Sequence, residues 1–290
     1  MNQAERIQAA VLKSLHSRDL YGEQQVNVML KALSEAETRV KAELVRIGDG
    51  TLLKKGLEVR REQMKGIQQR IDEIVRDLKT NQTLLMKEAV KTSFQSGIER
   101  GIGEFGQIGL PYYDVLSGAD QVKLAGQVMS LVDRSALDFL VNYDLNLLGT
   151  VTRELADSIK QQIGVGIVTG DSIAKIGEKI GGVISGPESF RLAGKTVFKT
   201  AQNRIEVITR TETLRAYGQG RQKFYGIIGV TRVVWVTAGD ERTCTVCGPL
   251  DGQEFWMDKL PSIPLHPQCR CGFFAARAKV CRSGLPLVAA

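Results

Sequence analysis

The stretch QVNVMLKALSEAETRVKAELVRIGDG, residues 25–50, decides the fold class. Val26, Met29, Leu30, Leu33, Ala36, Val40, Leu44 and Ile47 recur at steps of three and four, which gathers them on one side of an α-helix and leaves charged residues on the other. Gly48-Asp49-Gly50 breaks that rhythm, and a second stripe follows at Leu53, Leu57, Met64, Ile67, Ile71, Ile74 and Leu78. From Met64 onward its steps alternate three and four, the heptad spacing of a helix whose seam lies against another helix. Two long helices joined by a short Gly-rich turn fold back on each other, so residues 23–80 are expected to form an antiparallel hairpin. A short helix from Ala4 to Leu15, with Ile7, Val11, Leu12 and Leu15 on one side, is expected before it. The simplest use of the stripes is to cover one another, and any part left exposed on a long arm would dock on a partner.

Farther along, residues 101–118 are rich in Gly and aromatics and lack helical period, so they read as a connecting loop or domain junction. Helical patterning returns from Asp120 to Leu148 and continues through Leu155, Ile159 and Ile163. Thr169-Gly170-Asp171-Ser172 then introduces a shorter helix carrying Ile173, Ile176 and Ile180, and a long helix is expected from about Glu188 to Gly218. Strand chemistry enters at Val230-Thr231-Arg232-Val233-Val234-Trp235-Val236-Thr237, which is β-branched, aromatic and apolar. The expected fold is mostly α with a small α+β C-terminal domain. Along the chain this divides into a helical arm with its hairpin and loop (1–118), a helical middle (119–229) and a small β and metal-binding region (230–290).

A chain of 290 residues buries a core without covalent help, so its five cysteines are not needed as staples. Its sequence has neither a basic start followed by an apolar run nor about 18 consecutive apolar residues, so it is expected to be made and kept in a cytoplasm, with thiols rather than disulfides. The net charge of +7 is unevenly placed: residues 191–290 hold 15 Lys and Arg against 7 Asp and Glu. Such a basic surplus attracts nucleic acid or an acidic protein surface, or is simply a solvated face.

Two motif matches fail on context. Gly101-Ile102-Gly103-Glu104-Phe105-Gly106 has the letters of a dinucleotide-binding loop, but helical sequence precedes it where a strand is required. Gly194-Lys195-Thr196 has the ending of a phosphate-binding loop, yet Ser189 stands where its first glycine is needed. The only histidines are His16, in the first helix, and His266, so a nucleophile-histidine pair is hard to build and no enzymatic activity is expected.

The chemistry is concentrated in Cys244-Thr245-Val246-Cys247 and His266-Pro267-Gln268-Cys269-Arg270-Cys271. Each half supplies a C-x2-C or H-x2-C pair, the spacing with which a tight turn aims two ligands at one ion. Thiolate and imidazole donors select zinc over magnesium or calcium. Five candidates compete for four places: paired knuckles favour Cys244, Cys247, His266 and Cys269, with Cys271 the competitor for either of the last two. Four protein ligands make a closed, structural site, one zinc per chain. Buried free thiols, or disulfides formed later in an oxidising exterior, are the alternatives. Cys281 stands outside the spacing and reads as a plain thiol. Between the halves, Leu250-Asp251-Gly252-Gln253 and Phe255-Trp256 suggest a short hairpin.

Arg210-Thr211-Glu212-Thr213, the run from Val234 through Asp240-Glu241-Arg242-Thr243-Cys244 to Cys247, Leu250-Asp251-Gly252, and His266-Pro267-Gln268-Cys269-Arg270-Cys271 together resemble the head-morphogenesis, or Mu-type minor head protein, family of tailed phages. The resemblance covers roughly residues 150–275 and is strongest after Arg210. Pro261-Ser262-Ile263-Pro264-Leu265 departs from the compact Pro-Pro-x-His usual before the histidine. The resemblance implies a low-copy virion component of the head interior or portal region, present in the host cytoplasm during assembly. It implies portal and capsid proteins as partners, phage DNA as a further one through the basic C-terminal region, and an oligomer in the particle. The role implied is in head assembly and DNA packaging or ejection. Within the motif, Asp240 and Arg242 are expected to hydrogen-bond the turn that presents Cys244. Arg204, Arg210, Arg215, Arg221 and Lys223 are candidate phosphate contacts, and Glu206 a surface partner of Arg210. Rival readings are a zinc-stabilised nucleic-acid-binding module and a metal-dependent nuclease using Glu212 or Asp240.

Overall fold

The computed structural model describes residues 3–48, 57–107, 118–132, 134–169, 171–185, 189–192, 195–198 and 200–278. The helices are α1 (Gln3–Gly48), α2 (Leu57–Gln107), α3 (Gly118–Ser130), α4 (Arg134–Thr169), α5 (Ile173–Ile184) and α6 (Ala201–Ile227). The strands are β1 (Ser189–Leu192), β2 (Lys195–Phe198), β3 (Val230–Val236), β4 (Glu254–Trp256) and β5 (Gly272–Ala278). The mostly helical class with a small C-terminal sheet is thus observed. The chain divides into two compact units, each assembled from separated segments because α1, α2, α4 and α6 run through both.

The first unit holds residues 25–86 and 142–209. Val26, Met29, Leu33, Val40 and Leu44 of α1 are buried, as are Ile67, Ile71, Ile74 and Leu78 of α2, so the stripes read from the sequence are core. Arg39 pairs with Asp77 at 2.8 Å and Glu43 with Arg70 at 3.2 Å. As α1 advances, its partners on α2 recede, which makes the two helices antiparallel. The turn expected after Gly48 lies outside the described residues. Leu148, Val151, Leu155, Ile159 and Ile163 of α4 complete the core together with Ile176, Ile180 and Ile184 of α5. Ser172 caps α5 by accepting from the Lys175 N–H at 3.3 Å, as its sequence position implies.

The second unit holds residues 1–24, 87–141 and 210–290. Here α2 and α6 approach backbone to backbone. A Cβ on Gly97 would stand 2.1 Å from the Tyr217 carbonyl oxygen, one on Gly220 would stand 2.0 Å from that of Phe94, and one on Gly101 would stand 2.6 Å from the Phe224 ring. At Gly97 and Gly220 a side chain would meet backbone, and at Gly101 it would have to displace the Phe224 ring. Close by, Arg221 and Glu104 form a fully buried ion pair, and the Tyr225 hydroxyl donates to the same carboxylate at 3.0 Å. The Arg221 guanidinium also lies over the rings of Tyr225 and Phe273. The sheet is antiparallel in the order β4-β3-β5, with Val234 opposite both Glu254 and Phe274. Its last strand and the end of β3 are covered by α1 through Val11, Leu15, Val236 and Phe274.

Four sequence expectations are corrected. The first helix is not separate: α1 runs unbroken from Gln3 to Gly48. Residues 101–107 are helix rather than loop, because Gly101 serves the approach of α6 and neighbours such as Ile102 and Glu104 are buried. The helix expected from Glu188 begins only at Ala201 and runs past Gly218 to Ile227, while Ser189–Leu192 and Lys195–Phe198 form an antiparallel hairpin. β-Branched and aromatic residues such as Phe190, Thr196, Val197 and Phe198 favour strand there. Finally, Glu254–Trp256 pairs with β3 and not with Leu250–Gln253, so the knuckle contributes one strand to a sheet that β5 completes.

Candidate metal centre

The two ligand-bearing turns are fixed to opposite neighbours. The first leaves β3 through Gly239, at φ 68°, where the left-handed conformation suits glycine. The Asp240 carbonyl accepts from the Thr243 N–H at 2.9 Å and its carboxylate from the Arg242 N–H at 3.2 Å, closing the turn that delivers Cys244. The Cys247 N–H then points at the Cys244 sulfur at 3.3 Å. Below, Asp251 accepts from the Thr237 backbone N–H at 2.7 Å and from its hydroxyl at 3.0 Å, which locks Leu250-Asp251-Gly252 to the end of β3.

The second turn is held by two helices. Gln268, at φ 59°, donates its N–H to the Thr211 hydroxyl of α6 at 3.2 Å. Arg18 of α1 is almost buried and donates to the Cys271 carbonyl at 3.0 Å and the Arg270 carbonyl at 2.8 Å. Arg270 reaches back to Asp240, so one ion pair ties the two turns together. The Asp240 carboxyl is held below its usual range, chiefly by that Arg270 hydrogen bond.

All five candidate ligands converge. Cys244, Cys247 and His266 place their ligand atoms within 4.8 Å of one another, and so do Cys247, Cys269 and Cys271. Cys247 belongs to both groups. Its sulfur is 3.2 Å from His266 Nε2 and 3.9 Å from the Cys269 sulfur, and Cys244 Sγ is 3.1 Å from the same imidazole nitrogen. The sulfur-sulfur edge of a tetrahedral zinc site is about 3.8 Å, which the Cys247–Cys269 separation matches. His266 Nδ1 faces the Pro267 carbonyl at 2.9 Å, a contact that calls for a proton on Nδ1 and turns Nε2 toward the sulfurs. Trp235 and Leu214 floor the cluster, both buried.

The acid-base chemistry of this donor set suits a cation. The Cys271 thiol, by donating to Cys269, is the main reason the Cys269 thiol is pushed down to about 5. Burial pushes Cys247 up to about 12, and the hydrogen bond to Cys269 foremost raises Cys271. Burial acts against Cys244 ionising, yet the Cys247 and Val246 backbone hydrogen bonds lower its pKa. Thiolates crowded so closely repel, and a divalent ion among them stabilises several at once. The residues present therefore fit a metal ion.

The remaining sequence candidates are placed as follows. His16 is exposed on α1, and Cys281 lies outside the described residues. Glu212 is buried against Arg215, Arg204 pairs with Glu154, and Arg221 is consumed by Glu104, which removes Arg221 from any phosphate contact. Arg210 reaches Glu23 at 3.6 Å. The second-turn clamps Arg18 and Thr211 were not assigned from sequence. Arg18 acts on carbonyls about 250 positions away, and no local spacing announces such a contact.

Against known proteins, residues 157–274 match the family described as Phage Mu protein F like protein. The matched span takes in α5, α6, β3 and both ligand turns, and it supports the resemblance to phage head-morphogenesis proteins. Comparison with curated proteins and with solved structures found no match.

Proposed function

We propose that the chain is a minor head protein of a tailed phage, carried in the virion at the head interior or portal region, where its knuckle holds one structural zinc. The observation that carries this reading is the coincidence of the family match with the knuckle and the helix and strand that brace it. Cys244, Cys247 and His266 supply three ligands, and Cys269 or Cys271 the fourth. A zinc so enclosed has no open position for substrate and acts by fixing the loop. The role is structural rather than enzymatic. Glu212 and Asp240, the carboxylates a nuclease would need, are engaged by Arg215 and by Arg270 and Arg242. Portal and capsid proteins are the partners, and head assembly with DNA packaging or ejection is the step served. Mass spectrometry of purified particles tests this: the chain should be present at low copy, and its absence from particles would reject the assignment.

The basic C-terminal third favours one second reading, a zinc-stabilised nucleic-acid-binding module. Steep salt dependence of DNA affinity is its signature.

A further inference from the structure

Beside the knuckle, and touching its ligand cluster only at Cys269, lies a cavity of about 300 Å³ lined by Arg18, Arg210, Arg242 and Arg270, with Thr213 and Gln268 among its other polar residues. The guanidiniums come from four places in the chain: α1, α6 and the two knuckle turns. Arg242 and Arg270 are brought side by side by sharing Asp240. Arg18 is largely occupied by Asp19 and the Arg270 and Cys271 carbonyls, so it contributes charge and a rigid floor. Among the described residues Asp19 is the carboxylate lining the cavity, Asp240 and Glu23 pair with its arginines, and Glu241 is close enough to act on Arg270. The arginines are thus offset by neighbouring acids, and what distinguishes the cavity is that its guanidiniums arrive from separate elements, not a surplus of charge.

We propose that this cavity is a phosphate-binding site, with Arg210, Arg242 and Arg270 as the ligand-facing groups. A carboxylate is satisfied by one guanidinium fork, whereas a tetrahedral phosphate offers oxygens in several directions and suits arginines arriving from different elements. A free phosphate and a terminal phosphate of a nucleic-acid strand share this chemistry. The second source would give the DNA contact proposed above a definite place. The site itself does not depend on that reading.

The test is titration calorimetry of the full-length, metal-loaded protein with inorganic phosphate, with metal content measured on the same samples. Arg242→Ala is the informative variant because Arg242 is exposed and its removal spares the core. Lys91→Ala removes an exposed cation of α2 outside the cavity. Saturable phosphate binding is expected, weakened about tenfold by Arg242→Ala and little changed by Lys91→Ala. No saturable binding, equal loss in both variants, or preference for a glutamate-rich peptide over phosphate would overturn the proposal. A second arm uses a single-stranded oligonucleotide with and without a 5′-phosphate. A gain in affinity from the 5′-phosphate that disappears in Arg242→Ala assigns the site to nucleic-acid ends. Phosphate binding without that gain assigns it to free phosphate and counts against the DNA reading alone.

Discussion

The crossing of α2 and α6 and the knuckle at residues 244–271 lie in the same compact unit but hold their shape by opposite means. At the crossing, long helices satisfy their own backbone, and glycines bring them close enough for Glu104, Arg221 and Tyr225 to be sealed inside. In the knuckle, two 3-10 turns and a three-residue strand supply little repetitive hydrogen bonding. Its order comes from side chains that converge on it, namely the five ligands, Trp235 beneath them, and Arg18, Thr211 and Asp251 at the edges. A helix crossing is therefore damaged by changes of volume or charge in a packed interior. A knuckle built around the zinc proposed above would instead be damaged by removing the metal.

The largest effect on stability is expected at the crossing. Arg221→Met leaves Glu104 buried without its countercharge and should cost about 3–5 kcal/mol in denaturant unfolding. Adding Glu104→Gln should restore much of the loss, and a single variant costing under about 1 kcal/mol would show the pair to be dispensable. Next comes a pair of glycine substitutions of opposite sign. Gly220→Ala drives a methyl into the Phe94 carbonyl and should destabilise by about 1–3 kcal/mol despite alanine's helix preference. Gly103→Ala, in α2 with nothing within 4 Å, should stabilise by up to about 1 kcal/mol. Equal signs would mean that the close approach is not real.

In the knuckle the readout is metal affinity. Cys247→Ser should strip the metal, since Cys247 belongs to both ligand groups. Of Cys269→Ser and Cys271→Ser, one should retain metal through the other thiol. Asp240→Asn, which loosens the tie between the turns, should weaken binding by about tenfold. If Cys247→Ser binds metal as tightly as the parent, the shared-ligand geometry is wrong. The smallest effect is expected at the start of α5. There Lys175, and then Lys179, hold the Asp171 carboxyl well below its usual range through hydrogen bonds, with burial opposing them. A depressed carboxylate contributes stability above its unfolded pKa and loses it as pH falls through the folded one. Asp171→Asn should therefore lower stability slightly at neutral pH and flatten its fall in acid; an unchanged acid limb would refute the contribution.

The sequence was most legible where periodicity or spacing repeats a physical constraint. The apolar steps of α1 and α2 define buried faces, and the C-x2-C and H-x2-C pairs define a convergence of ligands that the fold provides. It was least legible where a residue's reason lies in a distant element. Gly97, Gly101 and Gly220 look like helix breakers until the partner backbone, or for Gly101 the Phe224 ring, is seen 2.0 to 2.6 Å from their missing Cβ atoms. That is why residues 101–107 read as a loop. Ser189–Phe198 was absorbed into a helix because a four-residue strand is too short to show alternation. Arg18 and Arg221 carry no sequence sign that one braces the knuckle and the other is interior.

The central claim, that metal rather than packing holds the knuckle while the helices hold themselves, is tested most directly by chelation. Elemental analysis of the purified chain should find about one zinc per chain. A strong chelator should then change the fluorescence of buried Trp235 and expose the Cys244–Cys271 segment to rapid amide exchange, while far-UV circular dichroism keeps nearly all of its helical signal. A chain without zinc whose knuckle amides stay protected in chelator would contradict the account, as would a collapse of the helical signal together with the knuckle.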